Sequence, residues 1–395
     1  MIQVNDQAAG LILSGGGARA AYQVGVLRAI ANMLPRRSPN PFGIICGTSA
    51  GAINAASLAS NADRFDRAVA HLARTWGNLH WDQVYRADLA GVLQVLSRCL
   101  AVLLAGGLSR PRPVSLLDSA PLVELLRRTV DFSRIRQTIA AGHLQALCIT
   151  ASSYTSGDSI SFFQGNDSHE PWRRARRIGR PAQIGLPHVM ASCALPFAFP
   201  VVRIDREHFG DGSMHQLAPI SPALHLGARR VLVIGVGSAL PRERTAPSPA
   251  EWPSLAQVAG HMLNTIFIDT LDMDLERLQR VNRTIACIPD EARRQEEGLR
   301  VIQTFIVRPS RPIDEIAVSY ADELPRAMRL LMRRAGVFGP GGAGVLSYLL
   351  FERSYCRHLM RLGFSDAMVQ RPRILEFLGY GPVSGRSGYW ERATA

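Results

Sequence analysis

A serine hydroxyl is a poor nucleophile until a base takes its proton and donors hold the oxyanion it generates. The first residues to weigh are therefore those around Ser49. It lies in Gly47-Thr48-Ser49-Ala50-Gly51, directly after the apolar run Phe42-Gly43-Ile44-Ile45-Cys46 and directly before Ala52-Ile53-Asn54-Ala55-Ala56. That order reads as strand, sharp turn, helix, the form of a nucleophile elbow. Gly47 and Gly51 leave the turn uncrowded, and Ser49 falls at a helix N-terminus, where unpaired N–H groups favour developing negative charge. The plain alternative is a glycine-rich turn with a capping serine; the strand before and the helix after favour a nucleophile.

Upstream, the short strand 10–14 runs into Gly15-Gly16-Gly17-Ala18-Arg19, and residues 20–30 have helical apolar spacing. A glycine loop between strand and helix turns backbone N–H groups towards an anion. A dinucleotide fingerprint would need a further glycine where Ala20 stands and an acidic residue about 20 positions on. Residues 34–40, Leu-Pro-Arg-Arg-Ser-Pro-Asn, hold none. The other use of such a loop is an oxyanion hole for a nucleophile on the next strand, where Ser49 sits. Further on, Gly210-Asp211-Gly212-Ser213 ends a strand-like run. By itself Asp-Gly most often marks a hairpin turn.

Together these three stretches resemble the patatin-like phospholipase family. The resemblance rests on Gly15-Gly16-Gly17-Ala18-Arg19, on Gly47-Thr48-Ser49-Ala50-Gly51 and on Asp211-Gly212, and it is strengthened by residues 191–196, Ala-Ser-Cys-Ala-Leu-Pro, by Ala218-Pro219-Ile220 and by the strand at 231–236. It implies a three-layer α/β/α sandwich with a mostly parallel central sheet. It also implies a Ser-Asp dyad, with Ser49 as nucleophile, Asp211 as base and the N–H groups of Gly15, Gly16 and Gly17 as oxyanion hole. Arg19, Gly47, Gly51 and Gly212 would be supporting residues. A lipid or acyl ester would be the substrate, with no metal and no cofactor. Ala20 and Ser213 depart from the usual pattern, and both are small. Two other readings compete. One is an α/β-hydrolase triad completed by His215, His225, His261 or His358, and the other is a catalytically idle module that binds membranes.

The elements that must position these residues follow from periodicity. Strands are expected at 144–151, 159–163, 201–209, 230–237, 284–288 and 301–307, and helices at 188–194 and 254–281. Residues 55–140 read as mostly helical, with 116–130 amphipathic, and are the natural cap over the site. The expected division is a catalytic domain over 1–310 with the cap inserted at 55–140, and a helical C-terminal extension over 311–395. Asp269, Asp272 and Asp274 read as a solvated face. No internal repeat is visible.

The 395 residues can bury one large core or two ordinary ones, and 47% hydrophobic content with mean hydropathy +0.04 is that of a globular chain. No basic stretch leading into an apolar run opens the sequence, so no signal peptide is expected and the reading is cytoplasmic, with peripheral membrane contact open. The apolar run 89–108 is interrupted by Gln94 and Arg98 and reads as a buried or surface-seeking helix rather than a span. Six cysteines without Cys-x-x-Cys spacing suit reduced thiols rather than zinc or disulfides. All 45 basic residues are arginine, and the net charge of +13 favours anionic membranes or nucleic acid. No nucleic-acid motif accompanies that charge. Its densest cluster, Trp172 to Arg180, is either a solvated basic face or a dock for anionic phospholipid with Trp172 as anchor.

Overall fold

The computed structural model describes residues 9–86, 115–238, 252, 254–288, 299–324, 326–334, 336–337 and 342–380. Among these, ten strands share one sheet: β1 (Ala9–Leu13), β2 (Phe42–Thr48), β3 (Ala146–Ser153), β4 (Ser159–Gly165), β5 (Trp172–Arg174), β6 (Arg177–Pro181), β7 (Val202–Ile204), β8 (Glu207–Asp211), β9 (Arg230–Ile234) and β10 (Gln303–Val307). The order is β10-β9-β1-β2-β3-β4-β6-β5, and the β7–β8 hairpin joins through β3. From β10 to β3 every neighbouring pair is parallel, whereas β4 runs antiparallel to β3 and β5 antiparallel to β6.

Alternation along the strands builds the three layers, because successive side chains leave opposite faces. Leu11, Leu13, Ile45, Leu147, Ile149, Leu232 and Ile234 enter one core with the helices Ala21–Met33, Ala50–Ala59 and Phe65–Gly77. Ile12, Ile44, Cys46, Cys148, Val231 and Val233 enter the other, against Ala223 of the helix Ser221–His225 and Leu271 and Leu275 of the helix Thr270–Ala286. The helices after β10 belong to the first core, which contains Leu346, Tyr355, Leu359, Met360 and Ile374. The helix Arg353–Val369 crosses Ala21–Met33 at small residues: Gly25 lies against the Met360 backbone, and Gly363 against the Tyr22 carbonyl. The Tyr22 hydroxyl donates to Asp366 at 3.0 Å across the same seam.

Several expectations are corrected. Residues 284–286 continue a helix instead of forming a strand; Ile285 alone of that run is buried, which is helical and not alternating spacing. The expected helix 254–281 is continuous from Leu255 to Ala286, with one π-turn inside it at Thr265–Asp269. The run 201–209 folds back as the β7–β8 hairpin, turning at Asp205 with φ 52°. Asp274 is buried and accepts the Ile220 N–H at 3.0 Å, so it belongs to no solvated face. Trp172 is no free anchor: its ring stacks between Phe163 and His225, at 5.2 and 4.8 Å between centroids. The run 89–108 lies outside the described residues, and no helix among them is long and apolar enough to cross a membrane.

The glycine crossing gives a test of the C-terminal packing. Gly25→Ala should lower the urea midpoint by overpacking worth about 1–3 kcal/mol, although alanine is favoured over glycine by about 1 kcal/mol in a helix interior. A midpoint equal to wild type or higher would contradict the close approach.

Candidate active site

One strand brings the key residues together. β3 pairs with β4 along one edge, from Ala146↔Gly165 to Ser152↔Ser159. Its other edge is taken first by β2, ending at Thr48↔Thr150, and then by β8, from Ala151↔Asp211 to Ser153↔Phe209. β8 is antiparallel to β3, so the C-terminal ends of β2 and β8 meet tip to tip. The residue after β2 is Ser49 and the last of β8 is Asp211. Their side chains touch: Ser49 Oγ donates to Asp211 Oδ2 at 2.5 Å. Gly212 follows directly, packed against the Thr150 carbonyl.

The elbow is strained and held. Ser49 has φ 53° and ψ −129°, a conformation that costs a non-glycine residue about 1–3 kcal/mol unless its surroundings enforce it. Its N–H donates to Ser192 Oγ at 2.9 Å, and the Ser192 hydroxyl donates on to the Thr150 carbonyl at 2.6 Å. The Cys193 thiol donates to the Ser49 carbonyl at 3.1 Å. Ser192 and Cys193 were visible in the sequence only as part of a motif, because their partners lie far from them along the chain. Gly47 packs on Gly51 and Ala55, while Gly51 abuts the Leu13 carbonyl and so seats the helix Ala50–Ala59 on the end of β1.

The glycine loop leaves β1 and enters a tight turn at Gly17–Ala20. Gly17 has φ 54°, which favours glycine, and lies against the Tyr348 carbonyl; Gly15 faces Ser213 and the Phe267 ring, and Gly16 faces Val236. Buried amides that periodicity could not single out tie this loop to the elbow. Gln23 donates to the Ser14 carbonyl at 2.8 Å, Asn54 donates to Gln23 at 3.0 Å, and the Trp76 indole donates to Asn54 at 2.8 Å. Arg19 is buried behind the loop, with its Nε donating to Ser347 Oγ at 2.7 Å.

Above Ser49 and Asp211 opens an apolar cavity. Gly17, Ile53, Trp76, Leu79, Leu122, Leu126, Phe199, Phe267, Tyr348 and Phe351 are among its walls. Four of these, Trp76, Leu79, Leu122 and Leu126, come from residues 55–140, the stretch expected to cover the site. None of the four histidines considered for a triad bonds Ser49 or Asp211 or is among the cavity walls. His225 stacks on Trp172, and His358 bonds the Tyr320 hydroxyl at 2.9 Å. His261 is exposed, and the His215 backbone N–H donates to Ser152 Oγ at 3.3 Å.

Burial dominates the electrostatics. The wholly buried Asp211 carboxyl is pushed up to about 6, because burial disfavours its charge more than the Ser49 and Ser213 hydrogen bonds favour it. Ser213, one of the two sequence departures, supplies its N–H to Asp211 Oδ1 at 2.9 Å and bonds the carboxylate through its side chain as well. Burial, reinforced by Asp211, pushes the Cys193 thiol well up. A serine hydroxyl hydrogen-bonded to a carboxylate that ionises near neutrality, beside a loop of small residues, is an arrangement able to form and release an ester.

Layers and elbow define a three-layer α/β/α protein with a serine raised at the end of a central strand. The family model for patatin-like phospholipases matches residues 11–224, and the chain belongs to that family. It is 28% identical over 215 residues to a cGAMP-activated phospholipase of Pseudomonas aeruginosa (strain BWHPSA011 / Pa011), a match covering 54% of this chain and 55% of the relative. The chain thus spans about half the length of the curated relative it matches. Among solved structures it is similar to human GIVD cytosolic phospholipase A2, at 12% identity and TM-score 0.44 over 94% of this chain and 60% of that one. It is also similar to VipD from Legionella pneumophila, at 11% identity and TM-score 0.34 over 93% and 67%.

The raised carboxyl carries a sign that can be checked. Because folding lifts Asp211 from 3.8 to about 6, the proton favours the folded state. That contribution is complete below pH 4 and lost as pH rises through about 6, a change of about 3 kcal/mol at 1.36 kcal/mol per unit. Asp211→Asn removes the titration. Its unfolding free energy relative to wild type should therefore rise by about 3 kcal/mol between pH 4 and just above pH 6, then stay level. Urea titrations at pH 4, 5, 6 and 8 read this directly, and a pH-independent difference would refute the buried ionisation.

Proposed function

We propose that this chain is a serine-dependent lipid acyl hydrolase working through a Ser49–Asp211 dyad. The observation that carries the reading is the 2.5 Å hydrogen bond between these side chains, facing an apolar cavity. Asp211 takes the Ser49 proton as Oγ attacks the acyl carbonyl. The carbonyl oxygen gains the charge, which the N–H groups of Gly15, Gly16 and Gly17 receive. Collapse breaks the ester bond, and Asp211 returns the proton to the departing alcohol. Water then attacks the acyl-serine with Asp211 again as base, releasing a fatty acid. A base ionising near 6 is mostly ionised at pH 7 while still basic enough to take a proton. The family's name and that of the Pseudomonas relative support a phospholipid as the ester. Against a triad stands the placement of the four histidines, and against an idle module the intact pair.

Meeting this substrate at an anionic lipid surface is supported by two features of one sheet end. The basic turn Arg174-Ala175-Arg176-Arg177 is in register with Ser159 and Ser152, the end of β3 that carries the site, about 10–15 Å away across two or three strands. Phe197, with φ 63° and 81% exposed, stands between Leu195 and Phe199, which line the cavity. Its carbonyl accepts the N–H of Leu116, itself 44% exposed.

Purified protein should hydrolyse acyl esters in a lipid-class screen, with kcat/KM rising with pH through about 6. Ser49→Ala and Asp211→Asn should each abolish turnover to a similar extent, because two groups acting as one unit lose non-additively. Ile53→Trp, which fills the cavity one helical turn after Ser49, should depress long-chain substrates at least tenfold more than short-chain ones. Activity surviving Ser49→Ala would end the proposal. For the surface, changing Arg173, Arg174 and Arg176 to Gln should weaken binding to anionic vesicles and spare hydrolysis of a soluble ester, since each basic residue near such a surface is worth about 1 kcal/mol. Unchanged vesicle binding would leave these arginines as a solvated turn.

A further inference from the structure

The walls of the cavity do not all come from the part of the chain that matches the family. Phe267, Tyr348, Leu349 and Phe351 lie beyond residue 224. Of these, Tyr348 does more than line the space. Its carbonyl lies against Gly17, at the positive-φ position where the glycine loop turns. Its ring lies under the Arg19 guanidinium, 4.1 Å from Cζ, and 5.2 Å from the Phe267 ring. Its hydroxyl donates to Asn264 at 3.2 Å. The preceding residue, Ser347, accepts from Arg19 Nε at 2.7 Å and donates to the Gly344 carbonyl at 2.6 Å. The helix Ala343–Leu349 thus grips the tight turn Gly17–Ala20 at Gly17 and at Arg19.

The charge of Arg19 makes this grip consequential. The residue is 3% exposed, no carboxylate pairs with it among the described residues, and its Nη2 is buried without a hydrogen-bond partner. A buried cation needs compensation. Here it comes from one hydroxyl and one aromatic face, both on the same short helix. With that helix seated, a buried positive charge that no carboxylate neutralises stands directly behind the loop whose N–H groups would form the oxyanion hole. With it displaced, the guanidinium would lose both neighbours and draw the loop out of place.

We propose that Ser347 and Tyr348 are positioning residues for the glycine loop, holding Arg19 and Gly17 so that the loop can receive an oxyanion. This rests on the reading of Ser49 as nucleophile. The expected effect falls on the transition state, because the oxyanion exists only there, whereas bound ester is held by the cavity.

The test uses Ser347, which does not line the cavity. Ser347→Ala should lower kcat for a short-chain p-nitrophenyl ester by about 10- to 100-fold, the range expected when reacting groups are misplaced by up to an ångström, with KM within about twofold. The rate of covalent labelling of Ser49 by a fluorophosphonate should fall in parallel, and Ser347→Thr, which keeps the hydroxyl, should recover most of the loss. Tyr348→Leu, which removes the ring beneath the guanidinium, should lose kcat as Ser347→Ala does. If Ser347→Ala does not fold, Tyr348→Leu decides on the same criterion. Wild type that is active while Ser347→Ala and Tyr348→Leu keep kcat within threefold overturns the clamp alone. Wild type that neither turns over ester nor reacts with the fluorophosphonate overturns the nucleophile assignment and the clamp with it.

Discussion

The site depends on one edge of β3 being shared by two strands of opposite direction. A parallel partner, β2, runs out at Thr48↔Thr150, and an antiparallel one, β8, begins at the next position, Ala151↔Asp211. Backbone pairing therefore fixes the separation of two residues 162 positions apart in the chain. A slip of one residue in either strand would turn every side chain to the other face and carry Asp211 away from Ser49. Such a slip is opposed by the two cores, since each strand already buries alternate residues above and below the sheet.

That register concentrates unfavourable terms at a single point. Ser49 has a backbone conformation few side chains adopt, and Asp211 has a carboxylate buried from bulk solvent. Neither would persist alone. Ser192 bridges the Ser49 N–H to the β3 carbonyl at Thr150, and Ser213 supplies donors to Asp211. The hydrogen bonds do not fully offset burial, which is why the carboxyl titrates near neutrality instead of near 4. A better solvated aspartate would cost the fold less and would be a weaker base.

What could be read from the sequence was whatever depends on neighbours along the chain. The strand-glycine-helix passages at 10–20 and 42–56 are local, since a strained turn between a buried strand and a helix needs small residues at known spacings. Asp211 was different. An Asp-Gly pair is a common turn, and only the resemblance to a family gave it a role. Side chains whose partners are distant left no signal: Trp172 reads as an exposed aromatic among arginines until Phe163 and His225 are found on its two faces. The run Thr284–Ile288 reads as a strand because β-branched residues favour that state, whereas the helix begun at Thr270 continues through Ala286 and buries Ile285 of that run. Gln23 and Asn54 read as polar residues within helices and prove to be buried amides joining loop to elbow.

The same distinction explains how the loop is supported. A glycine-rich turn is adaptable because it lacks side chains, so its own residues cannot hold it in one shape. Rigidity must come from whatever packs around it. Here the N-terminal side is held by Gln23 and Asn54, which belong to the adjacent helices, and the far side by Tyr348 and Ser347, which arrive after the sheet is complete. The helix Ala343–Leu349 is in turn fixed by Tyr355, whose hydroxyl donates to the Ser347 carbonyl at 3.3 Å, and by Tyr85, which donates to the Leu349 carbonyl at 2.9 Å. Tyr85 lies just past the helix Phe65–Gly77, and Tyr355 lies on the helix that crosses Gly25. Loop, cavity wall and C-terminal helices therefore form one packed unit, in which the order of the glycine loop depends on residues the loop's own sequence does not contain.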